Sequence, residues 1–220
     1  MIFIWSHDAF RVGEDGPTHQ PIEQEAQIRL MEQVKNHAGK SSMLVLRPCD
    51  AEETTVAWKM AVENKETPSA LILSRQNIKN LPGDRKVEAF KAEKGAYIVT
   101  KDENPKVVLI ANGSEVSTLV EASALLKQRD GIQVQIVAAP SEGKFREQSE
   151  QYQEEVIPSS LPAFGLTAGL PSTLRGLVGA KGKVWGLDHF GYSAPYKILD
   201  EKFGFTPENV YTQVKQLLSK

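Results

Sequence analysis

Between Ser6 and Glu23 the sequence crowds together side chains that could do chemistry: Ser6-His7-Asp8-Ala9-Phe10-Arg11-Val12-Gly13-Glu14-Asp15-Gly16-Pro17-Thr18-His19-Gln20-Pro21-Ile22-Glu23. His7 and His19 are imidazoles, which can pass protons. Asp8, Glu14 and Asp15 can accept hydrogen bonds from hydroxyl groups. Gly13 and Gly16 let backbone approach a ligand closely. A helix expected to start after Thr18, near Pro21, would offer unpaired N–H groups to an anion or a polar substrate. Two other readings stand beside this one. The cluster of His and Asp could hold a metal, although its spacing matches no compact ligand pattern. The acids and histidines could also simply satisfy local backbone groups.

Such groups work only where a scaffold holds them, and the flanking residues supply one. Ile2 to Trp5 is a short apolar run that enters the loop. Ile22, Ala26, Leu30 and Val34 recur every four residues and predict a helix with one buried stripe. Met43 to Leu46 is the next apolar run. Asp50 and Glu53 have capping-box spacing and open a helix from Glu52 to Asn64. Ala70 to Leu73 is the third run and leads into Ser74-Arg75-Gln76-Asn77. Strands alternating with helices imply a parallel sheet with right-handed crossovers. The carboxyl ends of such strands share one rim, where ligands bind. His7, Arg47 and Arg75 each follow one of the three runs, so all three fall on that rim. An anionic ligand accounts for the cluster; the competing account pairs one or two of them with Asp8, Asp50 or Glu53.

The charged stretch from Pro82 to Lys94 reads as a linker, after which the alternation restarts. Ala96 to Val99 and Lys106 to Ala111 read as strands, and Asn112-Gly113-Ser114 turns into a helix carrying Val116, Leu119, Val120 and Ala124. Gly131 ends that helix. Ile132, Val134 and Ile136 alternate as a strand. A polar helix around Arg146 to Val156, a strand near Ala163 to Leu166, a short helix from Pro171 and a last strand from Val184 to Leu187 follow. Helices around Pro195 to Lys202 and Pro207 to Leu218 close the sequence. The expected fold is α/β in two lobes. A partial parallel Rossmann-like sheet with flanking helices comes first, then an α/β domain with a mostly parallel five-stranded sheet. Trp58, Trp185 and Phe190 read as core or interface aromatics.

Composition narrows the classes. The 220 residues include 40% hydrophobic and 25% charged side chains, which suits a globular fold and not a disordered chain. A net charge of −2 supplies no basic field for nucleic acid. No apolar run is long enough for a membrane. Met1 to His7 lacks a basic region and a cleavage site, so it is not read as a signal peptide. A single cysteine, Cys49, fits a reducing, cytoplasmic setting. The apolar run at the second residue reads as a cut within a larger domain.

The string Gly13-Glu14-Asp15-Gly16-Pro17-Thr18-His19-Gln20-Pro21-Ile22-Glu23 closely resembles the hallmark loop of the transketolases. The resemblance continues through Arg47-Pro48-Cys49-Asp50 and Leu73-Ser74-Arg75-Gln76-Asn77, then Gly113-Ser114-Glu115-Val116 and Gly186-Leu187-Asp188-His189-Phe190-Gly191-Tyr192-Ser193-Ala194-Pro195. It is strong in the first lobe and weaker from Pro140 to Gly182. His189 departs from it, since an arginine is common there.

The resemblance implies an enzyme that moves a two-carbon ketol unit between ketose and aldose phosphates. It implies thiamine diphosphate and a divalent metal (Mg or Ca) as cofactors, and a homodimer. By the same resemblance His7 and Arg75 bind the substrate phosphate. Asp15 holds a hydroxyl near the reacting carbons, and His19 bonds an oxygen there and moves protons. The chain resembles the second half of the pyrimidine-binding domain (residues 1–81), a linker (82–94) and the C-terminal domain (95–220). No Gly-Asp-Gly and Asn pair for metal and diphosphate occurs, and no cofactor-binding residue is identified, so the chain alone is expected to be inactive. Related thiamine enzymes, of the deoxyxylulose-phosphate synthase or 2-oxo-acid dehydrogenase β-subunit type, and a non-catalytic sugar-phosphate-binding protein are the alternatives. The Leu-Ser-Arg-Gln-Asn string and the hallmark loop favour transketolase over them.

Overall fold

The computed structural model describes every residue except Pro21 and Lys220. The first lobe is a three-stranded sheet of β1 (Ile2–Trp5), β2 (Leu44–Leu46) and β3 (Ser69–Ile72), with α1 (Gln24–Gln33) and α2 (Ala51–Glu63) in the crossovers. The order is β1-β3-β2 and both pairings are parallel. Trp5 lies opposite Ile72, and Leu46 opposite Leu71, so the three strands end together. Apolar runs of β-branched and aromatic residues separated by amphipathic stretches produce this arrangement.

Residues 82–94, expected as a linker, are largely folded as the short α3 (Arg85–Glu88) and a 3-10 turn over Ala89–Lys94. Arg85 is buried and donates to Asp50 Oδ2 at 2.7 Å and to the Tyr97 hydroxyl at 2.7 Å. The connection is therefore packed against α2 rather than free.

The second lobe contains β4 (Tyr97–Lys101), β5 (Val107–Ala111), α4 (Glu115–Asp130), β6 (Val134–Ala138), α5 (Glu142–Arg146), α6 (Glu150–Val156), β7 (Ala163–Leu166), α7 (Ser172–Val178), β8 (Lys183–Trp185), α8 (Tyr196–Phe203) and α9 (Pro207–Leu218). Its five strands run β4-β6-β5-β7-β8, and only β4 is antiparallel. All of β5 and β6 is buried. Val107, Leu109 and Ala111 enter the main core, while Val108 and Ile110 enter a second cluster on the opposite face with Val137, Phe145 and Leu174. The main core runs on without a break into the first lobe through Leu46, Val56 and Leu71. α4 ends as its Gly131 implied: Ile132 N–H donates to Leu126 C=O and Gly131 N–H to Lys127 C=O.

Several expectations need correction. The helix start expected near Pro21 lies partly outside the described residues, and α1 begins at Gln24. Its buried face is Glu25, Arg29 and Glu32, whereas Leu30 and Val34 are exposed and Ala26 is only half-buried. Arg29 bonds Glu25 at 2.9 Å and Glu32 at 3.2 Å, so ion pairing, not apolar burial, turns this helix. Glu32 also accepts from Ser141 and from Gly143 N–H, which fastens the charged face to the second lobe. In α2 the Asp50 carboxylate caps Glu53 N–H at 2.8 Å, but Glu53 reaches Cys49 N–H instead of returning to Asp50. Ala124 is exposed on α4, and the single polar helix expected near 146–156 is divided between α5 and α6.

Candidate functional site

Because the strands of the first sheet are parallel, the loops after β1, β2 and β3 leave from one rim. These loops carry His7, Arg47 and Arg75, as the sequence implied. Arg47 is not available to a ligand. It is 1% exposed and donates to Asp8 at 2.6 Å and to Asn112 Oδ1 at 2.6 Å, and it pairs with Glu115. Burial works against its charge, but Glu115, Asp8 and Glu25 more than offset that, and its pKa lies well above the ordinary value. The local-pairing account is the correct one for Arg47, although its second carboxylate comes from the other lobe. Glu115 is buried too; burial alone would raise its pKa, yet Arg47 and Arg11 hold it below the usual carboxylate value.

This network joins the lobes at the carboxyl ends of their strands. Arg47 N–H donates to Pro140 C=O at 2.9 Å, and Gly113 N–H donates to Arg47 C=O at 3.0 Å. Gly113 has φ +57°, and a Cβ there would lie 2.5 Å from the Arg47 guanidinium carbon, so only glycine fits. Arg11 adds a second tie, donating to Asp200 at 2.6 Å and to Ser114 at 2.9 Å while pairing with Glu115. Arg11 also lies over the rings of Phe10 and Phe205.

His7, Asp15, His19 and Arg75 are all exposed, in contrast to Arg47. Among the described residues the His7 side chain bonds only its neighbour Ser6, at 2.9 Å, and the His19 side chain only its neighbour Thr18, at 3.0 Å. Neither Arg75 nor Asp15 forms an ion pair among them. The segment after Gly16 is a 3-10 turn over Pro17–His19, not the start of a helix. His19 N–H donates to Gly16 C=O and Gln20 N–H to Pro17 C=O, so the expected unpaired amides are in use at these two positions.

What fixes this loop was not legible locally. Gln20 is fully buried; its side chain donates to Gly13 C=O, and its own C=O accepts from Gly191 N–H at 3.2 Å. A Cβ on Gly191 would overlap the Gln20 side-chain oxygen. Ser193 Oγ donates to Glu14 C=O at 2.6 Å, between residues 179 apart in sequence. The Asp188–Pro195 segment therefore holds the loop that carries Asp15 and His19.

A hollow of about 680 Å³ lies elsewhere, lined by Lys35, Leu44, Lys59, Asn64, Thr67 and Lys144 at the opposite end of the first sheet. Lys59 pairs with Glu63 and Glu93 and Lys144 with Glu147, while Lys35 donates to Ser41. None of the four exposed rim residues lines it. Cys49 is buried, and burial, with Glu53 and Asp50 close by, pushes its thiol well above the ordinary value, so it is no nucleophile.

Residues 1–80 match the model of the transketolase pyrimidine-binding domain, and residues 95–206 that of the transketolase-like C-terminal domain. The chain belongs to the transketolase family. It is 43% identical over 217 residues to a transketolase of Staphylococcus aureus, covering 98% of this chain and 31% of that one. It is 38% identical over 223 residues to the transketolase of Bacillus subtilis, covering 100% and 32%. The chain thus spans about a third of the length of these relatives. Transketolase from Leishmania mexicana superposes with a TM-score of 0.86 at 33% identity, over 98% of this chain and 30% of that one. A Pichia stipitis transketolase described as a complex with sedoheptulose 7-phosphate superposes with a TM-score of 0.84 at 34% identity, over 98% and 30%. An inactive β4 tetramer of a split-gene transketolase shares the fold, with a TM-score of 0.73 at 22% identity over 99% and 67%.

Thiamine diphosphate held through a divalent metal, the cofactor common to the family, does not fit the donors of this chain. Among the described residues no three His, Cys, Asp or Glu side chains group as a metal site. Of the acids at the rim, Asp8 and Glu115 are committed to Arg47 and Asp50 to Arg85, while Asp15 is exposed.

Proposed function

We propose that the carboxyl rim of this chain forms the sugar-phosphate side of a ketol-transfer site in a complete transketolase. The carrying observation is the contrast at that rim: Arg47 is consumed in a buried network, while His7, Asp15, His19 and Arg75 stay exposed on loops the network supports. His7 and Arg75 bind the substrate phosphate; the planar fork of Arg75 suits two phosphate oxygens at once. Asp15 accepts a hydrogen bond from a hydroxyl near the reacting carbons. His19 bonds an oxygen on the reacting carbons and moves a proton there. The solved Pichia stipitis relative with sedoheptulose 7-phosphate supports this choice of substrate class.

Thiamine diphosphate and its metal belong to the complete enzyme and are held mostly by residues outside this chain. Residues 1–81 act as the second half of a pyrimidine-binding domain, 82–94 as its connection, and 95–220 as the C-terminal domain. The complete enzyme is a cytoplasmic homodimer of pentose phosphate metabolism, and the chain by itself is inactive. Among the described residues no helix is long and apolar enough to cross a membrane.

Native protein captured from its source should form sedoheptulose 7-phosphate from xylulose 5-phosphate and ribose 5-phosphate, and only with thiamine diphosphate and metal present. Folded, cofactor-loaded protein that gives no product overturns the reading. In the complete enzyme Arg75→Ala should weaken phosphorylated substrates by about 1.5–3 kcal/mol, the range for hydrogen bonds to charged groups. An unchanged KM removes Arg75 from the phosphate side.

A further inference from the structure

Asp8 follows His7 directly, and Ser74 precedes Arg75 directly. The backbone pairing of β1 with β3 persists to the ends of the strands, where Leu73 N–H donates to Trp5 C=O at 2.6 Å. Past that point the two loops are joined by side chains. Ser74 Oγ donates to Asp8 Oδ2 at 3.1 Å, and the same oxygen accepts from Arg47 Nη2 at 2.6 Å and Nε at 3.1 Å. The Asp8 side chain is 2% exposed and cannot reach solvent partners instead. Arg47 is itself fixed by Asn112 and Glu115 of the second lobe, so the carboxylate has no room to swing. One buried oxygen thereby ties together the two segments that carry His7 and Arg75.

We propose, resting on the sugar-phosphate reading above, that Asp8 is a positioning residue that sets the spacing of His7 and Arg75 and with it the preference for phosphorylated sugars. Asp8 touches no substrate; it acts through the two loops. Ser74 is the link from Asp8 to Arg75, and Arg47 is the anchor behind Asp8.

The test measures binding of ribose 5-phosphate and of ribose to the full 220-residue chain by nuclear magnetic resonance titration, together with the amide order parameter at Arg75. The variants are Asp8→Asn and Ser74→Ala. Asp8→Asn keeps the shape but removes the charge. Ser74→Ala cuts only the half-buried bond and leaves the Arg47 network whole, so its fold is secure. Ser74→Ala should lower the ratio of ribose 5-phosphate to ribose affinity about three- to tenfold, and Asp8→Asn at least as much. Both should lower order at Arg75 without ligand. A ratio and an order parameter unchanged in Ser74→Ala overturn the positioning role, while the sugar-phosphate reading stands. A wild-type chain that binds ribose 5-phosphate no better than ribose overturns the sugar-phosphate reading and this role with it. Equal losses for both sugars mean a general structural effect and also overturn it.

Discussion

The two lobes follow the same strand–helix grammar but cover their sheets differently. The five-stranded sheet has a full apolar cluster on each face. The three-stranded sheet shares the main core on one face, but on the other the described residues form a small cluster of Val45, Ala70 and Ile72 with Ile28 and Met43 packed against it. There Phe3, Trp5, Ile28, Met31 and Met43 line an open hollow of about 330 Å³. Leu30 and Val34 of α1 are exposed beside it. One sheet is complete within the chain. The other carries apolar surface that the chain does not cover, and it is fastened to its neighbour by the shared core on one face and by charge at the rim. Fold and site are therefore held by different physics: the second lobe by apolar packing, the rim by buried ion pairs whose strength depends on protonation.

The comparison can be broken first at the second sheet. Phe164 is fully buried in β7, and Phe164→Ala should cost about 3–5 kcal/mol in denaturant unfolding. A loss no larger than that of a surface substitution would refute the picture of a self-sufficient sheet. The next test reaches the ion network. Glu115→Gln leaves Arg47 with Asp8 and Arg11 with Asp200, so it should cost about 1.5–3 kcal/mol near neutral pH. The Glu115 pKa is lowered in the fold, so its stabilisation is in place above the ordinary value of 4.5 and is lost as pH falls through the folded value. The difference between wild type and Glu115→Gln should therefore shrink as the pH drops below that range. Glu32 and Glu53, which burial shifts upward, contribute with the opposite sign in both proteins and cancel in the difference. A difference that grows in acid would show that Glu115 is not the charged partner. The smallest effect belongs to the uncovered face. Ile4 is 51% exposed, and Ile4→Thr should change stability by no more than about 0.5 kcal/mol while reducing self-association in sedimentation. A large loss of stability would mean that this face is already covered.

The strands were legible because apolar runs with turn residues between them leave few alternatives, and β1 spans the residues the sequence implied. The rim followed, since parallel strands place His7, Arg47 and Arg75 on one edge whatever the loops do. Partners distant in sequence were not legible. From the sequence Arg47 reads either as a ligand-binding cation or as one paired with Asp8, Asp50 or Glu53, and nothing local points to Glu115 and Asn112, which arrive from the second lobe, 68 and 65 residues away. α1 misled for a related reason: its four-residue apolar repeat is real, but ion pairs from Arg29 to Glu25 and Glu32 decide which side turns inward. The exposed aromatics Trp58 and Phe190 show the same limit, since no local pattern separates a core ring from one left at the surface.

The clamp on the hallmark loop also sets an order of events. Synthesis delivers Asp15 and His19 well before Gly191 and Ser193, which hold their loop through Gln20 and Glu14; Glu14 and Ser193 are 179 residues apart. Chains are released from the ribosome beginning with their amino end, and contacts of long sequence separation close late. Both sheets can pair before the loop has its anchor. A nascent chain stopped short of Gly191 would thus carry Asp15 and His19 on a loop without its anchor, so the order of that loop depends on residues made long after it.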